Sequence, residues 1–276
     1  MDRIRLIASD MDATLLDEQS QLPADFEETI HALAELGIRF APASGRPLYT
    51  LEAMFPTLQD ELVFIGDNGG AIRWNGQNLF TSEMSPEGWR ALNRLTREQG
   101  DIAVLCGLES AYVERSFAVH DAVLRHFYTK IEYVDRLEDV AAPADKFTIY
   151  LPQHNAQQAY DTVYASQRSI YSVAVAGECW VDIMNPGVHK GAALQTLGQL
   201  WGLPSESMMA FGDTYNDAEM LRTAKYGFLM ENGSEPLRQK VPFLAPSHRE
   251  AGVMQVLHRV LAQNGCVCPE DFVPAH

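Results

Sequence analysis

The sequence has few cysteines, and this shortage excludes two classes of small site. Only 4 of the 276 residues are cysteine, which does not suggest a disulfide framework. Cys266 and Cys268 form a Cys-x-Cys pair near the C-terminus, but no second pair of cysteine or histidine ligands completes a zinc site. We therefore interpret this pair as chemically inert.

Long apolar runs are also missing. No stretch approaches the roughly 20 consecutive apolar residues that a membrane-spanning helix needs. The first residues, Met1 to Arg5, contain too short an apolar segment for a signal peptide. We expect a cytoplasmic protein with no membrane partner.

Basic residues are scarce relative to acidic ones. The chain has 21 Lys and Arg against 37 Asp and Glu, a formal net charge of −16. Such a surface repels a phosphate backbone, which argues against a nucleic-acid partner. It also repels small anionic substrates unless a cation lies in the site. The hydrophobic fraction of 46% is that of a globular protein, and the length allows one large domain or two modest ones.

A short apolar run near the N-terminus comes directly before two carboxylates. The run Ile4 to Ala8 predicts a buried strand, Asp10 and Asp12 follow it, and Thr14 comes two residues later. Side chains two residues apart leave a strand on the same face, so both acids can face one site at its carboxyl end. Ligands bind at that end of an open parallel sheet. An Asp-x-Asp pair taken alone is a weak signal, because most acidic pairs near a turn lie on a solvated surface.

Two further apolar runs end in polar residues. The run from residue 38 to 43 precedes Ser44 and Gly45, and Pro47 suits the first turn of a following helix. Free backbone N–H groups at a helix start attract phosphate oxygens, and the Ser44 hydroxyl can add a bond. Ser44 can also be a simple N-cap. A third run, residues 62–65, ends near Asn68, which either faces the site or is an ordinary turn residue.

The sequence pattern changes between about residues 82 and 186. Helical stretches alternate there with closely spaced strand-like runs over roughly 100 residues, which is typical of an α+β unit with its own antiparallel sheet. The alternation of strand and helix then resumes. We predict an α/β fold whose parallel-sheet core comprises residues 1–82 and 186–276, with residues 83–185 as an inserted α+β domain. The tail after Gly265 is expected to be peripheral.

The second half of the core contains a lysine and a second acidic cluster. Lys190 falls at a predicted helix start, where the helix dipole disfavours a cation, so an anion or a carboxylate is expected nearby. A solvated lysine is the alternative. Another short strand precedes Asp213, Asn216 and Asp217, which therefore occupy the same topological position as the first acidic pair.

These residues suit phosphoryl transfer if they meet at one edge of the sheet. Several carboxylates at close range repel one another unless a cation neutralises them, and hard oxygen ligands indicate Mg²⁺, with Asp10 and Asp213 as candidates. Asp10 can attack phosphorus, and Asp12 is placed to protonate the leaving oxygen and then deprotonate water. The candidates for holding phosphate oxygens are Ser44, Lys190, Asn216 and backbone amides.

Four motifs in this order resemble the haloacid dehalogenase (HAD) superfamily, and within it the Cof-type phosphatases with a type IIB cap. The motifs are Asp10-Met11-Asp12-Ala13-Thr14-Leu15-Leu16, Ser44-Gly45-Arg46, Gly187-Val188-His189-Lys190-Gly191 and Gly212-Asp213-Thr214-Tyr215-Asn216-Asp217. The resemblance covers nearly the whole chain. It implies a Rossmann-like core and a cap domain that closes over the site and selects the leaving group.

The resemblance also implies a role for each matching residue. Asp10 would be the nucleophile and a Mg²⁺ ligand, Asp12 the acid/base and a ligand through its main-chain carbonyl, and Asp213 a further ligand. Asp217 would support the site. The residues implied to bind the phosphoryl group are Ser44, Gly45, Lys190 and Asn216.

The sequence departs from this family pattern in a few places. Ala13 stands where the family usually has glycine, and its methyl group restricts the backbone without removing a chemical group. Thr214 and Tyr215 replace a pair that commonly contains glycine. His248 stands where the family often has asparagine. These departures bear on the substrate rather than on the reaction type.

The predicted function is a Mg²⁺-dependent phosphatase that hydrolyses a small phosphate monoester, such as a sugar phosphate, through an aspartyl-phosphate. Two alternatives remain: a phosphomutase on the same scaffold, and a catalytically silent metabolite-binding regulator. The expected assembly is a monomer or a small homo-oligomer.

Overall fold

Two separate β-sheets form the framework of the molecule. The computed structural model describes residues 1–276. The first strands along the chain are β1 (Asp2–Arg3), β2 (Leu6–Asp10), β3 (Arg39–Ala43), β4 (Val63–Gly66), β5 (Ala71–Trp74) and β6 (Gln77–Thr81). The middle strands are β7 (Ile102–Gly107), β8 (Ala111–Glu114), β9 (Ile131–Val134), β10 (Ala144–Tyr150), β11 (Ser172–Val175) and β12 (Trp180–Met184). The last strands are β13 (Met208–Gly212), β14 (Tyr226–Met230), β15 (Phe243–Ala245), β16 (Cys266–Val267) and β17 (Val273–Pro274).

The α-helices alternate with these strands. They are α1 (Phe26–Glu35), α2 (Leu48–Ala53), α3 (Pro86–Gln99), α4 (Asp121–Phe127), α5 (Ala156–Thr162), α6 (Lys190–Trp201), α7 (Ala218–Thr223) and α8 (Gly252–Ala262). None of them combines the length and the apolar character needed to cross a membrane.

The larger sheet has nine strands in the order β17-β15-β14-β13-β2-β3-β4-β5-β6. From β15 to β4 neighbouring strands run parallel, while β17 and the β5–β6 hairpin are antiparallel. The predicted parallel α/β core is therefore confirmed. Its central strand β2 lies between β3 and β13, so the chain order reverses beside it, and the carboxyl ends of these strands share one edge. Such a switch point is where α/β sheets bind ligands.

The smaller sheet is built only from residues 102–184 and has the strand order β11-β12-β10-β7-β8-β9. Most neighbours are antiparallel, as predicted for this segment. Strand β9 was not predicted, and it runs parallel to β8. Its residues are half-buried or exposed, so it lacks the buried apolar pattern that identifies a strand.

Alternating side chains of the strands fill separate hydrophobic cores on the two faces of each sheet. In β2, Ile7 packs on the face covered by α1 and α8, while Leu6 and Ala8 pack on the face covered by α6 and α7. In the smaller sheet, Phe147 joins the core under α3 and α5, whereas Tyr150 lies on the opposite face. This is the period-two alternation expected of pleated strands.

The strand predicted before the first acidic pair is confirmed, and its bounds are Leu6–Asp10. One expectation about the main chain was wrong. The tail after Gly265 is not peripheral, because β16 pairs with β1 and β17 joins the edge of the larger sheet. Val267 is fully buried there, and Phe272 belongs to the main core. These two apolar side chains close the core beside the last parallel strand.

Candidate active site

Asp10 and Asp12 line the same cavity, but only Asp10 belongs to strand β2, and Asp12 lies in the turn after it. Asp10 is the last residue of the strand and is buried, whereas Asp12 lies beyond the strand in a tight turn. Ala13 has φ 57° and ψ 14°, a left-handed conformation that turns the chain. The expectation that both acids share a strand face was therefore wrong, although both line the same cavity.

Lys190 has the carboxylate partners expected for a buried cation at a helix start. It is the first residue of α6, and its Nζ donates to Asp10 Oδ1 and to Asp217 Oδ1, the latter at 2.7 Å. Burial by itself would lower the pKa of Lys190, but the charges of Asp10 and Asp217 outweigh it and raise that pKa. Lys190 therefore stays protonated and holds the two acids together.

Asp217 organises the loop after β13. Its Oδ2 accepts hydrogen bonds from the backbone N–H groups of Asp213, at 3.1 Å, and Thr214, at 3.2 Å. Gly212 leaves room for this arrangement, since a Cβ at that position would lie 2.4 Å from the Cβ of Asp217. Both oxygens of Asp217 are thus used within the protein, one by Lys190 and one by the loop.

The carboxylates carry more negative charge than Lys190 neutralises. Oxygens of Asp10, Asp213 and Asp217 lie within 4.8 Å of one another. Burial, and then the charge of Asp217, raise the pKa of Asp10 to about 8 and that of Asp213 to about 6. Such a cluster of hard oxygen donors suits a divalent cation.

The donor set fits Mg²⁺ in chemistry and in number. Asp10 keeps one oxygen free of protein hydrogen bonds, because only its Oδ1 contacts Lys190. Asp213 does so as well, since only its Oδ1 accepts a hydrogen bond, from Thr14 Oγ1 at 3.5 Å. Mg²⁺ typically takes one or two carboxylates and keeps several waters. Asp217 already accepts three hydrogen bonds from Lys190 and the loop, and the carboxylate of Asp12 lies outside the cluster.

Arg46 holds the Asp12 side chain at the rim of the cavity. Its guanidinium donates two hydrogen bonds to the Asp12 carboxylate, at 2.5 and 3.0 Å, and the Asp12 side chain is 61% exposed. Sequence reasoning missed this role of Arg46, although the residue directly follows the Ser44-Gly45 pair.

Ser44 and Gly45 lie at the end of β3 and line the cavity. Ser44 is buried, and its Oγ accepts a hydrogen bond from the backbone N–H of Arg46 at 3.1 Å. Pro47, not Ser44, occupies the N-cap position of α2, so the N-cap interpretation of Ser44 was wrong. Ser44 instead stabilises the turn before the helix, as serine side chains do in ST motifs.

Asn216 is the least integrated of the predicted site residues. It is exposed at the mouth of the cavity, and its Oδ1 accepts a hydrogen bond from Thr214 Oγ1 at 2.6 Å. The structure shows no hydrogen bond between Asn216 and Lys190 or Asp10. Tyr215 lies beside it with 57% of its surface exposed, so the bulky ring is at the entrance.

His248, another departure from the family pattern, takes part through its backbone in the hydrogen bonds that support the turn after β2. The Asn232 side chain donates to the carbonyl oxygen of Ala13 at 2.8 Å and accepts from the backbone N–H of His248 at 3.0 Å. His248 thus enters this network through its backbone. Its imidazole makes no contribution to these two hydrogen bonds, so the replacement of a family asparagine does not break them.

Residues of the smaller sheet complete the cavity, which has a volume of about 540 Å³. Lys146, on β10, is buried and donates to the carbonyl oxygen of Gly45 at 2.6 Å, with Asp67 Oδ1 at 2.9 Å. Asn68 donates to Asp182 of β12 at 3.1 Å. The sequence signal for Lys146 and Asp182 was a charged residue inside a predicted strand, which sequence reasoning did not use.

The fold and site define an α/β enzyme with a lysine-bridged acidic centre at the carboxyl edge of a parallel sheet, covered by a second sheet. The sequence matches the haloacid dehalogenase-like hydrolases over residues 7–257. It is 32% identical over 262 residues to a 5-amino-6-(5-phospho-D-ribitylamino)uracil phosphatase of Escherichia coli, covering 94% of this chain and 96% of that one. An HMP-PP phosphatase of Cronobacter sakazakii is 31% identical over 249 residues, covering 87% of this chain and 89% of that one.

A solved structure agrees with these matches. SMU.1108c of Streptococcus mutans has a TM-score of 0.84 and 28% sequence identity, covering 94% of this chain and 99% of that one. The chain therefore belongs to the haloacid dehalogenase superfamily and is a phosphatase of the Cof type.

Proposed function

We propose that this enzyme is a Mg²⁺-dependent phosphatase that hydrolyses a small phosphate monoester through an aspartyl-phosphate on Asp10. The observation that carries the proposal is the buried Lys190, which bonds both Asp10 and Asp217 beside Asp213 at the wall of the cavity. This arrangement combines a nucleophile, a fixed positive charge for phosphoryl oxygens and donors for a divalent cation.

The proposed domain arrangement is a catalytic core of residues 1–82 and 186–276 with a cap of residues 83–185. It is supported by the composition of the two sheets. Every strand of the smaller sheet lies within residues 83–185, and every strand of the larger sheet lies outside this range. The contacts of Lys146 with Gly45 and of Asp182 with Asn68 join the two parts directly above the site. Closure of the cap over the core would exclude water from the reacting phosphate.

The proposed metal ligands are the carboxylates of Asp10 and Asp213 and the main-chain carbonyl of Asp12. When bound, Mg²⁺ would neutralise the excess charge of the cluster and the charge on the substrate phosphate. Ser44 through its hydroxyl, Gly45 through its backbone N–H, and Lys190 are proposed to hold the phosphoryl oxygens. Asn216 would join them from the rim of the cavity.

In the first step, a carboxylate oxygen of Asp10 attacks phosphorus and forms a new P–O bond. The bond between phosphorus and the substrate alcohol oxygen breaks, and Asp12 gives its proton to that oxygen, so that a neutral alcohol leaves. The remaining groups act by positioning and by charge, which supply most of the rate enhancement in phosphoryl transfer.

In the second step, water attacks the phosphorus of the aspartyl-phosphate. Asp12 takes a proton from this water, the P–O bond to Asp10 breaks, and inorganic phosphate leaves with the carboxylate restored. The position of Asp12 supports this double role, because its carboxylate lines the cavity and is accessible to both the substrate and water.

The proposed substrate class is a small phosphorylated metabolite, such as a sugar phosphate or a related compound. The E. coli relative is named for 5-amino-6-(5-phospho-D-ribitylamino)uracil, which makes that ester a first candidate in a substrate screen. A screen that includes sugar phosphates would compare the two kinds of leaving group directly.

The test is hydrolysis of p-nitrophenyl phosphate by the purified chain in the presence of Mg²⁺. Asp10→Asn should reduce turnover by about a thousandfold or more, because the amide cannot act as the nucleophile. Asp60→Asn, at an exposed position, is the matched control and should keep full activity. Unchanged turnover of Asp10→Asn would contradict the mechanism. Product analysis with a sugar phosphate distinguishes hydrolysis, which releases inorganic phosphate, from a mutase reaction, which gives an isomeric phosphate ester.

A further inference from the structure

The cap presents a two-part surface to the cavity. Strands β10 and β12 pair so that Thr148 lies opposite Asp182 and Tyr150 lies opposite Trp180. Opposed residues of an antiparallel pair extend to the same face of the sheet. The face therefore has a polar pair followed by an aromatic pair, in line along the two strands.

The polar pair is tied to the catalytic core. Asp182 is buried, its Oδ1 accepts from Thr148 at 2.7 Å, and its Oδ2 accepts from Asn68 of the core at 3.1 Å. An ionised carboxylate offers about four acceptor positions, so these two bonds do not exhaust Asp182. Asp182 and Thr148 both line the cavity. They are suited to bind hydroxyl groups of a substrate next to its phosphate.

Of the aromatic pair, Trp180 lines the same cavity, whereas Tyr150 is not part of the lining and packs against the indole. The ring centroids of Tyr150 and Trp180 are 4.6 Å apart, and Phe127 approaches Trp180 edge-on at 5.0 Å. This packing fixes the orientation of the indole, which lines the cavity together with the small side chains of Ala174 and Ala176. A rigid aromatic surface with small neighbours favours a flat ring as its ligand.

The spacing along β12 sets the distance between the two parts. Trp180 is two residues from Asp182, which corresponds to about 7 Å along a strand. A substrate that reaches both must therefore carry its ring beyond a hydroxylated arm. The cavity volume of about 540 Å³ is within the range of small-molecule sites and exceeds the needs of a phosphate group alone.

We propose that the preferred substrates are phosphate monoesters with a flat ring at the end of a hydroxylated arm. The phosphate would lie at Asp10, the arm at Asp182 and Thr148, and the ring against Trp180. This inference rests on the proposed function and names the leaving group for that same site. Trp180 and Asp182 are then specificity-determining residues of the cap.

The test compares esters that differ only by the ring. The pairs are uridine 5′-monophosphate with ribose 5-phosphate, and flavin mononucleotide with ribitol 5-phosphate. In at least one pair, kcat/KM should be about tenfold higher for the ring-bearing ester, which is the size of one good aromatic contact. Trp180→Leu should remove most of this preference, and Trp180→Phe should retain part of it.

Two further variants separate recognition from folding. Trp201→Leu removes a tryptophan that packs on Trp74 and lies outside the cavity lining, so it should leave the preference intact. Ala176→Trp, at an exposed position that lines the cavity near Trp180, should fill the ring end of the cavity and lower the ratio of kcat/KM between the ring-bearing and ring-free esters without opening the core. If Trp180→Leu fails to fold, Ala176→Trp still tests the inference.

The outcomes distinguish the two proposals. Equal kcat/KM within both substrate pairs, or a preference that survives both Trp180→Leu and Ala176→Trp, would overturn the assignment of the ring site. In that case hydrolysis of p-nitrophenyl phosphate would still support the proposed function. No hydrolysis of any of these esters with Mg²⁺ would instead refute the proposed function itself.

Discussion

Lys190 and Asp217 form an ion pair in which neither side chain reaches solvent, with 2.7 Å between Nζ and Oδ1. The lysine is also at the N-terminus of α6, where the helix dipole disfavours a positive charge. The pair is stable there because Asp10 supplies a second carboxylate to the same ammonium group. Electrostatic balance at this point thus depends on three residues from separate parts of the chain.

Removing the lysine charge should destabilise the fold as well as abolish activity. Lys190→Met leaves Asp10 and Asp217 without their cation, and breaking a buried pair in this way costs about 3–5 kcal/mol. Urea unfolding followed by circular dichroism measures this loss. The double variant Lys190→Met with Asp217→Asn should recover part of the stability but none of the activity. A Lys190→Met variant as stable as the wild type would show that the pair is not needed.

Mg²⁺ should stabilise the folded protein through Asp213. A ligand present at about 100 times its Kd adds about 2.7 kcal/mol to the free energy of unfolding, which raises Tm by several degrees. Asp213→Asn should lose this increment, while Asp60→Asn should keep it. Differential scanning fluorimetry with and without Mg²⁺ provides the readout, and chelation with EDTA should reverse the wild-type shift. An equal Mg²⁺-induced rise in Tm for the wild type, Asp213→Asn and Asp60→Asn would show that Asp213 does not bind the ion.

Glycine at position 13 should raise stability slightly. Ala13 has a φ of 57°, and the left-handed conformation costs a residue with a Cβ about 1–2 kcal/mol. The greater conformational freedom of glycine in the unfolded chain offsets about 0.4–1 kcal/mol of this gain, so Ala13→Gly should raise the free energy of unfolding by up to about 1.5 kcal/mol. The control is Ala34→Gly, at an exposed position of helix α1, which should lose about 1 kcal/mol. A loss in both variants would argue against strain at Ala13.

The C-terminal tail should contribute substantially to the stability of the core. Phe272 packs against the rings of Tyr226, Phe228 and Phe243, with centroid distances of 5.0–5.8 Å. Phe272→Ala should therefore cost about 3 kcal/mol or more, as expected for a large-to-small change in a core. The neighbouring Val273 is 64% exposed, and Val273→Ala should change stability by less than about 0.5 kcal/mol. Similar effects of the two substitutions would mean that the tail is only loosely packed.

Local sequence patterns determined the order and type of most core elements. The apolar runs before Asp10, Ser44 and Asp213 are strands, and Lys190 begins a helix, because hydrophobic period and helix-start signals are properties of contiguous residues. The helix dipole also pointed to an anion or carboxylate near Lys190, although a solvated lysine was an open alternative at that stage. The four motifs were sufficient to identify the superfamily before any distance was known.

Only the tertiary structure decided how distant residues meet. The bonds from Lys146 to Gly45 and from Asn68 to Asp182 join residues 101 and 114 positions apart, and no local periodicity encodes such pairs. The same is true of the contact between Arg46 and Asp12, because Asp12 lies in the turn beyond β2 and not on the strand face that alternation predicted. Sequence period sets which face of an element is apolar, whereas packing between elements selects the partners of its polar residues.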